Sequence, residues 1–320
     1  MTFLSDDCLV SIFQKLQNGT DRNSFGLTCR RWLHIQNISR RSLTLHFSYE
    51  TTAYQSYMRY LPTLLNRFCH LSSVSIAGCT ELPDSALLGL KNLKTSLRSL
   101  SLYCCFKITD EDCGIQALSR GCRLLNVLVV SCCRDVVGTG LQGCSQRLEY
   151  IEAECCMFTR EGLLGAVGAG GLKYLNLSNP RCSMNIDGVA LVLAPRLQFL
   201  NLRLCRFISN ESIATISKAC PLLEEWSLAV CHEIGALGWK EIGLNCCNLK
   251  VLHVNRCRNL CDRGLEALRD GCGRLRVLYM HGCNQVSRMG IEMFRLRRYD
   301  VEIRSEECVS IGPRIYDFFA

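Results

Sequence analysis

The sequence predicts an α/β protein: a small helical bundle at the N-terminus, then a curved solenoid of about nine strand–helix units with a parallel sheet on the concave side. Two observations carry this reading. The stretch LKVLHVNRC, Leu249 to Cys257, returns 26 residues later as LRVLYMHGC, Leu275 to Cys283, and stands 26 residues earlier as LEEWSLAVC, Leu223 to Cys231. Residues 3–47 lack this unit and space their apolar side chains mostly at three- or four-residue steps, as on the face of a helix. No run of 18 apolar residues occurs, which argues against a membrane-spanning helix.

Taken in order, the first helix is set by Leu4, Leu9, Ile12, Phe13 and Leu16, with Ser5 or Asp6 placed to cap it and Asn18-Gly19-Thr20 to end it. A second apolar set, Phe25, Leu27, Cys29, Trp32 and Leu33, lies in a polar, arginine-containing segment. A bundle of this size sits near the lower limit for a self-sufficient core, so it is expected to lean on a partner. The order Leu4-Ser5, Ile12-Phe13-x-x-Leu16, Asp21 and Cys29-Arg30-Arg31-Trp32 resembles the F-box, whose pattern is a leucine-proline start, Ile-Phe-x-x-Leu, an acidic residue opening the next helix and a Cys-Arg-x-Trp close. Ser5 departs from the usual proline.

The resemblance covers residues 1–47 and implies docking on the small Skp-type adaptor of cullin ubiquitin ligases, through Leu4, Leu9, Ile12, Phe13, Leu16, Leu27 and Trp32. Read alone, any of these side chains serves equally well as core. As a set they favour a partner, because so small a bundle cannot bury them all.

Residues 48–70 are expected to connect and cap. Tyr57, Leu61, Leu64, Leu65 and Phe68 mark an amphipathic helix with Pro62 in or near its first turn, covering the exposed first repeat. Repeats then begin at Leu71, Leu97, Leu125, Leu148, Leu172, Leu197, Leu223, Leu249 and Leu275. Their form, L-x-x-L-x-L-x-x-C with a period of 23 to 28 residues, is that of leucine-rich repeats and assigns residues 71–300 to the solenoid. After the cysteine, motifs such as Ile108-Thr109-Asp110 and Ile208-Ser209-Asn210 place a capping residue before an outer helix. In the fourth and fifth repeats, glycines between Gly165 and Gly171 replace good helix formers and Pro180 stands at a cysteine position, so this arc is expected to be thin or mobile. Residues 301–320 read as a C-terminal cap, with Val301 and Ile303 adding a last strand and Ile315, Tyr316, Phe318 and Phe319 covering the final repeat.

The start MTFLSDDCLVSIF has two acids and no basic segment, so no signal peptide is read; a soluble protein of nucleus and cytoplasm is expected. The 24 cysteines fit a reducing compartment. Eight occupy the ninth place of a repeat and five precede its first leucine by three or four residues, which suits small buried hydrophobes stacked at a turn. No Cys-x-x-Cys pair occurs, so zinc and other cofactors are not expected.

On each strand, the residues between the inward leucines face the concave side. Those positions mix polar and aromatic side chains, among them Arg203, His253, Asn255, Tyr279 and His281, with Arg256 just beyond a strand end. These six are the expected substrate contacts. Residues 248–298 hold eleven Lys and Arg against four acids, so most of the formal net charge of +8 gathers at the C-terminal repeats, which reads either as a solvated convex helix face or as a place where an anionic or small-molecule ligand is met. Nucleic acid is disfavoured, since no nucleic-acid motif accompanies the charge.

F-box and cysteine-containing repeats together resemble the F-box/leucine-rich-repeat family over nearly the whole chain, in its plant-type style. The family implies a non-catalytic subunit that holds a protein substrate near a conjugating enzyme for ubiquitination and proteasomal degradation. Two alternatives are a non-degradative scaffold and a small-molecule or hormone co-receptor.

Overall fold

The computed structural model describes residues 4–47, 54–110, 114–168, 170–180, 191–192 and 194–315. Three helices, α1 (Asp6–Lys15), α2 (Gly19–Leu27) and α3 (Arg30–Ser39), form the N-terminal bundle. Ser5 caps α1, its Oγ accepting from the Cys8 N–H at 3.3 Å, so the serine supplies by side chain what a proline supplies by fixed backbone angle. Leu9, Phe13, Phe25 and Ile35 fill the bundle's core. Phe25 lies between Phe13, tilted at 5.2 Å, and Trp32, stacked at 4.4 Å.

Among the described residues, eleven parallel strands follow in chain order as one sheet. The first, β1 (Ser42–His46), pairs with β2 (Ser73–Ala77), so these residues belong to the solenoid although the sequence reading placed them with the bundle. Between them α4 (Tyr54–Arg67) buries Leu61 and Leu65, with Phe68 just beyond it, against the first repeat. Pro62 lies in its interior, deeper than the first-turn position expected. The remaining strands are β3 (Ser99–Tyr103), β4 (Val127–Val129), β5 (Tyr150–Glu152), β6 (Tyr174–Asn176), β7 (Phe199–Asn201), β8 (Glu225–Ser227), β9 (Val251–His253), β10 (Val277–Tyr279) and β11 (Glu302–Arg304).

Behind the strands stand a 3₁₀ helix (Asp84–Leu93), α5 (Ile115–Gly121), a short 3₁₀ turn (Thr139–Leu141), α6 (Arg160–Val167), α7 (Asn210–Ala219), α8 (Ala236–Asn245), α9 (Asp262–Gly271) and α10 (Arg288–Arg297). Helices need about 10 Å each while strands need about 5 Å, so a stack of such units bends with its strands inside. The inward side chains meet in register: Leu175 pairs with Leu200, Leu200 with Trp226, Trp226 with Leu252 and Leu252 with Leu278, all fully buried.

Two sets of polar contacts tie each unit to the next. Ser209 caps α7 as its motif predicts, and Thr159 and Ser287 cap α6 and α10 in the same way, whereas Thr109 does not cap α5, whose first turn follows Gly114 with no side-chain bond. The residue after Thr109 or Ser209 has a separate job. Asp110 accepts from the N–H groups of Val137, Gly138 and Gly140 one repeat on, and Asn210 accepts from Gly235 and Gly238 in the same way. Ninth-place thiols reach back: Cys133 donates to the Leu102 carbonyl at 3.3 Å, Cys156 to Val130 at 3.0 Å, Cys231 to Leu202 at 3.2 Å and Cys257 to Leu228 at 3.1 Å. Each is a weak bond, but it satisfies a buried carbonyl where the chain leaves the strand.

The residue before each such cysteine adopts a left-handed backbone, with φ of 55° at Cys104, 60° at Cys132, 58° at Cys155 and 58° at Arg256. At Cys104-Cys105, Cys132-Cys133 and Cys155-Cys156 the dipeptide is therefore a turn residue followed by a packed one, while at Cys246-Cys247 the first cysteine is buried and the second exposed. Burial pushes the packed thiols up, to about 12 at Cys105 and well above the ordinary value at Cys231 and Cys257. Native chain treated with iodoacetamide near pH 7.5 is accordingly expected to be modified first at the exposed Cys8, Cys29, Cys69 and Cys247. Peptide mass spectrometry reads this out. Labelling of Cys231 or Cys257 as fast as Cys247 would contradict the packing described.

Glycine-rich residues of the fourth repeat depart from expectation: α6 is a regular helix through Gly162 and Gly165. Pro180 is described, but residues 181–190, which carry most of the fifth repeat's outer segment, lie outside the described residues, and so does part of the thinness expected for this arc. The C-terminal segment departs most. After β11, residues 305–315 run back across the concave face and do not lie over the final repeat. Tyr316, Phe318 and Phe319 lie outside the described residues.

Candidate functional site

Two surfaces carry the predicted contacts. On the bundle, the seven apolar residues divide. Leu9 and Phe13 are buried in the bundle's own core and Leu16 and Trp32 pack partly against it, so Leu9 and Phe13 belong to the interior and not to the surface. Leu4, Ile12 and Leu27 point outward, 49%, 40% and 84% exposed. Arg31 fastens Leu4 in place, donating to its carbonyl at 2.6 Å and pairing with Asp6 at 2.6 Å, which ties the start of α1 to the start of α3.

The second surface is the concave face. His253 is 2% exposed; its Nε2 lies 2.8 Å from Glu225 Oε1 and its ring stacks on Tyr279 at 4.4 Å with an interplanar angle of 3°. Tyr279 accepts at its hydroxyl from Arg304 of β11. Asn255, 3% exposed, donates to the Glu306 carbonyl at 2.9 Å. Arg256 pairs with Glu307 at 2.5 Å, and Arg203 stands 3.8 Å from the same carboxylate. His281 is exposed.

The expected substrate contacts thus lie on one face, but His253 and Asn255 are not open to solvent, and Arg203 and Arg256 already face a carboxylate from the chain itself. Much of the basic cluster behind them is likewise matched, as Lys250 pairs with Glu224 and Arg276 and Arg298 with Asp300. The anionic ligand expected at the basic repeats would have to compete with these acids.

Sequence reasoning passed over the middle of the face. Tyr150 and Tyr174 stack at 4.0 Å with rings 7° from parallel, and with Val127, Val129 and Phe199 they enclose Ile311 of the C-terminal segment. Tyr150 also donates to Glu152 at 2.7 Å. Burial, with Glu152 and Arg203 acting in opposite directions, holds the neighbouring Glu154 carboxyl above the usual range. The signal for this cluster was present as aromatic residues at one strand position in three successive repeats. No group of three or more His, Cys, Asp or Glu among the described residues is arranged to hold a metal ion, and no helix among them is long and apolar enough to cross a membrane.

No family model matches the chain. It is 40% identical to F-box/LRR-repeat protein 12 of Arabidopsis thaliana, across 70% of this chain and 72% of that protein. The chain belongs to the F-box/leucine-rich-repeat family. A second relative, F-box protein MAX2 homolog B of Petunia hybrida, is 25% identical over 78% of this chain, which spans 35% of that protein's length. Among solved structures, the leucine-rich-repeat protein LegL7 of Legionella pneumophila superposes with a TM-score of 0.52 at 13% identity, over 90% of this chain and 97% of that one, a likeness of fold alone. F-box/leucine-rich-repeat proteins are in general non-catalytic adaptor subunits with a substrate-recognition role.

Proposed function

We propose that this chain is the substrate-recognition subunit of an SCF-type cullin ubiquitin ligase, with the bundle docked on the Skp-type adaptor and the concave face holding a protein substrate for ubiquitination and proteasomal degradation. The observation that carries the docking half is that Leu4, Ile12 and Leu27 stay outside a bundle whose core is already filled by Leu9, Phe13, Phe25 and Ile35. Exposed large apolar side chains on so small a unit are what a partner's hydrophobic groove takes up. The chain's contribution to ubiquitin transfer is then proximity and orientation, with the bond-making group supplied by a conjugating enzyme. A nuclear and cytoplasmic location goes with this reading, to be checked by imaging a fluorescent fusion.

Co-expression with the adaptor tests it. Wild type should copurify as a stable complex, and Ile12→Asp with Leu27→Asp should weaken it about thirtyfold or more, as truncation of central interface anchors typically costs about 2 kcal/mol. Because both side chains are exposed, circular dichroism and thermal unfolding of the variant should match wild type. A variant that folds and still binds the adaptor undiminished would overturn the docking assignment, leaving a scaffold whose bundle is only an end cap.

A further inference from the structure

The segment after β11 is held on the concave face as a ligand would be. Its backbone is gripped by side chains at three points: Asn255 Nδ2 donates to the Glu306 carbonyl at 2.9 Å, Asn201 Nδ2 donates to the Val309 carbonyl at 3.1 Å, and the Gly312 N–H donates to Glu225 Oε2 at 2.9 Å. These contacts read main chain and are indifferent to sequence. Two side chains add selectivity. Glu307 faces Arg203 and Arg256, and Ile311, 4% exposed, sits among Val127, Val129, Tyr150, Tyr174 and Phe199. Gly312 follows with φ of +69° where a Cβ would press on the Phe199 ring, so the segment turns away close against the aromatic cluster.

The grip is specific but small, built from three hydrogen bonds, one partly exposed carboxylate shared by two arginines and one buried aliphatic side chain. The groove beneath it is largely buried: Asn201, Asn255 and His253 are all 3% exposed or less. Without an occupant, the Asn201 and Asn255 amides would lose the acceptors they now have. We propose that the concave face is a groove for an extended peptide bearing an acidic side chain and, four residues later, a branched aliphatic one, and that residues 305–315 occupy it in cis until a protein substrate of that kind displaces them. This rests on the reading of the concave face as the substrate surface. Tethering gives the segment a high local concentration, so a substrate in trans binds with an affinity lowered by the fraction of chains whose groove is open.

The test uses the full chain, without the adaptor, and a fluorescently labelled peptide of residues 305–315, followed by anisotropy. Chain carrying Glu307→Lys and Ile311→Asp, which loosens the internal segment, should bind the native peptide about tenfold or more tighter than wild type does. A peptide with the same two substitutions should bind neither chain. In a second chain, Arg203→Glu with Arg256→Glu, the preference should reverse, with the Glu307→Lys peptide bound and the native peptide rejected. Equal binding of the native peptide by wild type and the loosened chain would overturn the proposal, as would no binding by the loosened chain or a charge reversal without effect. Failure of adaptor copurification with success here would remove the ligase reading and leave the groove; the opposite pair of results would remove the groove alone.

Discussion

Trp226→Ala is expected to lower the chain's stability by about 3–5 kcal/mol, the cost typical of emptying a large buried aromatic site. Trp226 is fully buried on β8, in register with Leu200 on one side and Leu252 on the other. It is also among the largest of the fully buried side chains, at a position where the adjoining strands carry leucine. A solenoid unit contacts only its neighbours, so the cavity weakens two interfaces and the loss cannot be shared across a distant core. Urea unfolding followed by circular dichroism should show the transition moved to lower denaturant, and a loss under about 1 kcal/mol would mean that the stack closes over the gap.

The companion Trp226→Leu should recover most of the loss. Among the described residues the indole N–H finds no acceptor, so leucine removes an unpaired buried donor while leaving a smaller cavity than alanine does. The two effects oppose, and a net change of about 1–2 kcal/mol is expected. If leucine proved as damaging as alanine, shape rather than burial would govern the site.

The repeat was legible because one spacing controls everything near it. A leucine at a fixed step must meet the leucine of the next unit, and strand alternation then decides which side chains face inward, so the register from Leu175 to Leu278 follows from the sequence. The bundle was legible as helices, but not which of its apolar side chains stay at the surface. Leu9, Ile12, Phe13 and Leu16 share one broad apolar stripe on α1, and only the packing of α2 and α3 decides that Phe13 turns in while Ile12 stays out.

The path of residues 305–315 was not legible at all. Asn201 and Val309 meet across 108 positions of sequence, and nothing periodic connects them. Its apolar residues look alike whether they cover the last repeat or lie along the inside of the arc. The six expected contacts lie along the concave face for this reason, with the segment that covers part of it unrecognised: strand alternation locates a surface but says nothing of a distant segment laid over it.

The glycines of the fourth repeat yield the sharpest contrast between propensity and packing. Gly162→Ala should stabilise α6 by up to about 1 kcal/mol if helix propensity alone decided the outcome. The backbone around it decides otherwise. A Cβ at Gly162 would overlap the carbonyl oxygen of Val137 and crowd Gly138 in the preceding repeat, so α6 approaches its neighbour at a distance that only glycine permits. The overlapped atoms are main chain and cannot swing aside as a side-chain tip would. They are also held, since the Thr159 N–H donates to that same Val137 carbonyl at 2.9 Å and Asp110 accepts from the Val137 and Gly138 N–H groups. Relief therefore requires α6 to move off the stack, breaking contacts with the Thr139–Leu141 turn, and the expected result is a destabilisation of about 3 kcal/mol, at the upper end for overpacked sites. Gly170→Ala is the control, because its surroundings are open and its positive φ alone should cost about 1 kcal/mol. Thermal unfolding of the two variants separates the explanations: an increase in stability for Gly162→Ala would show that the helix, and not the close approach of repeats, limits this arc.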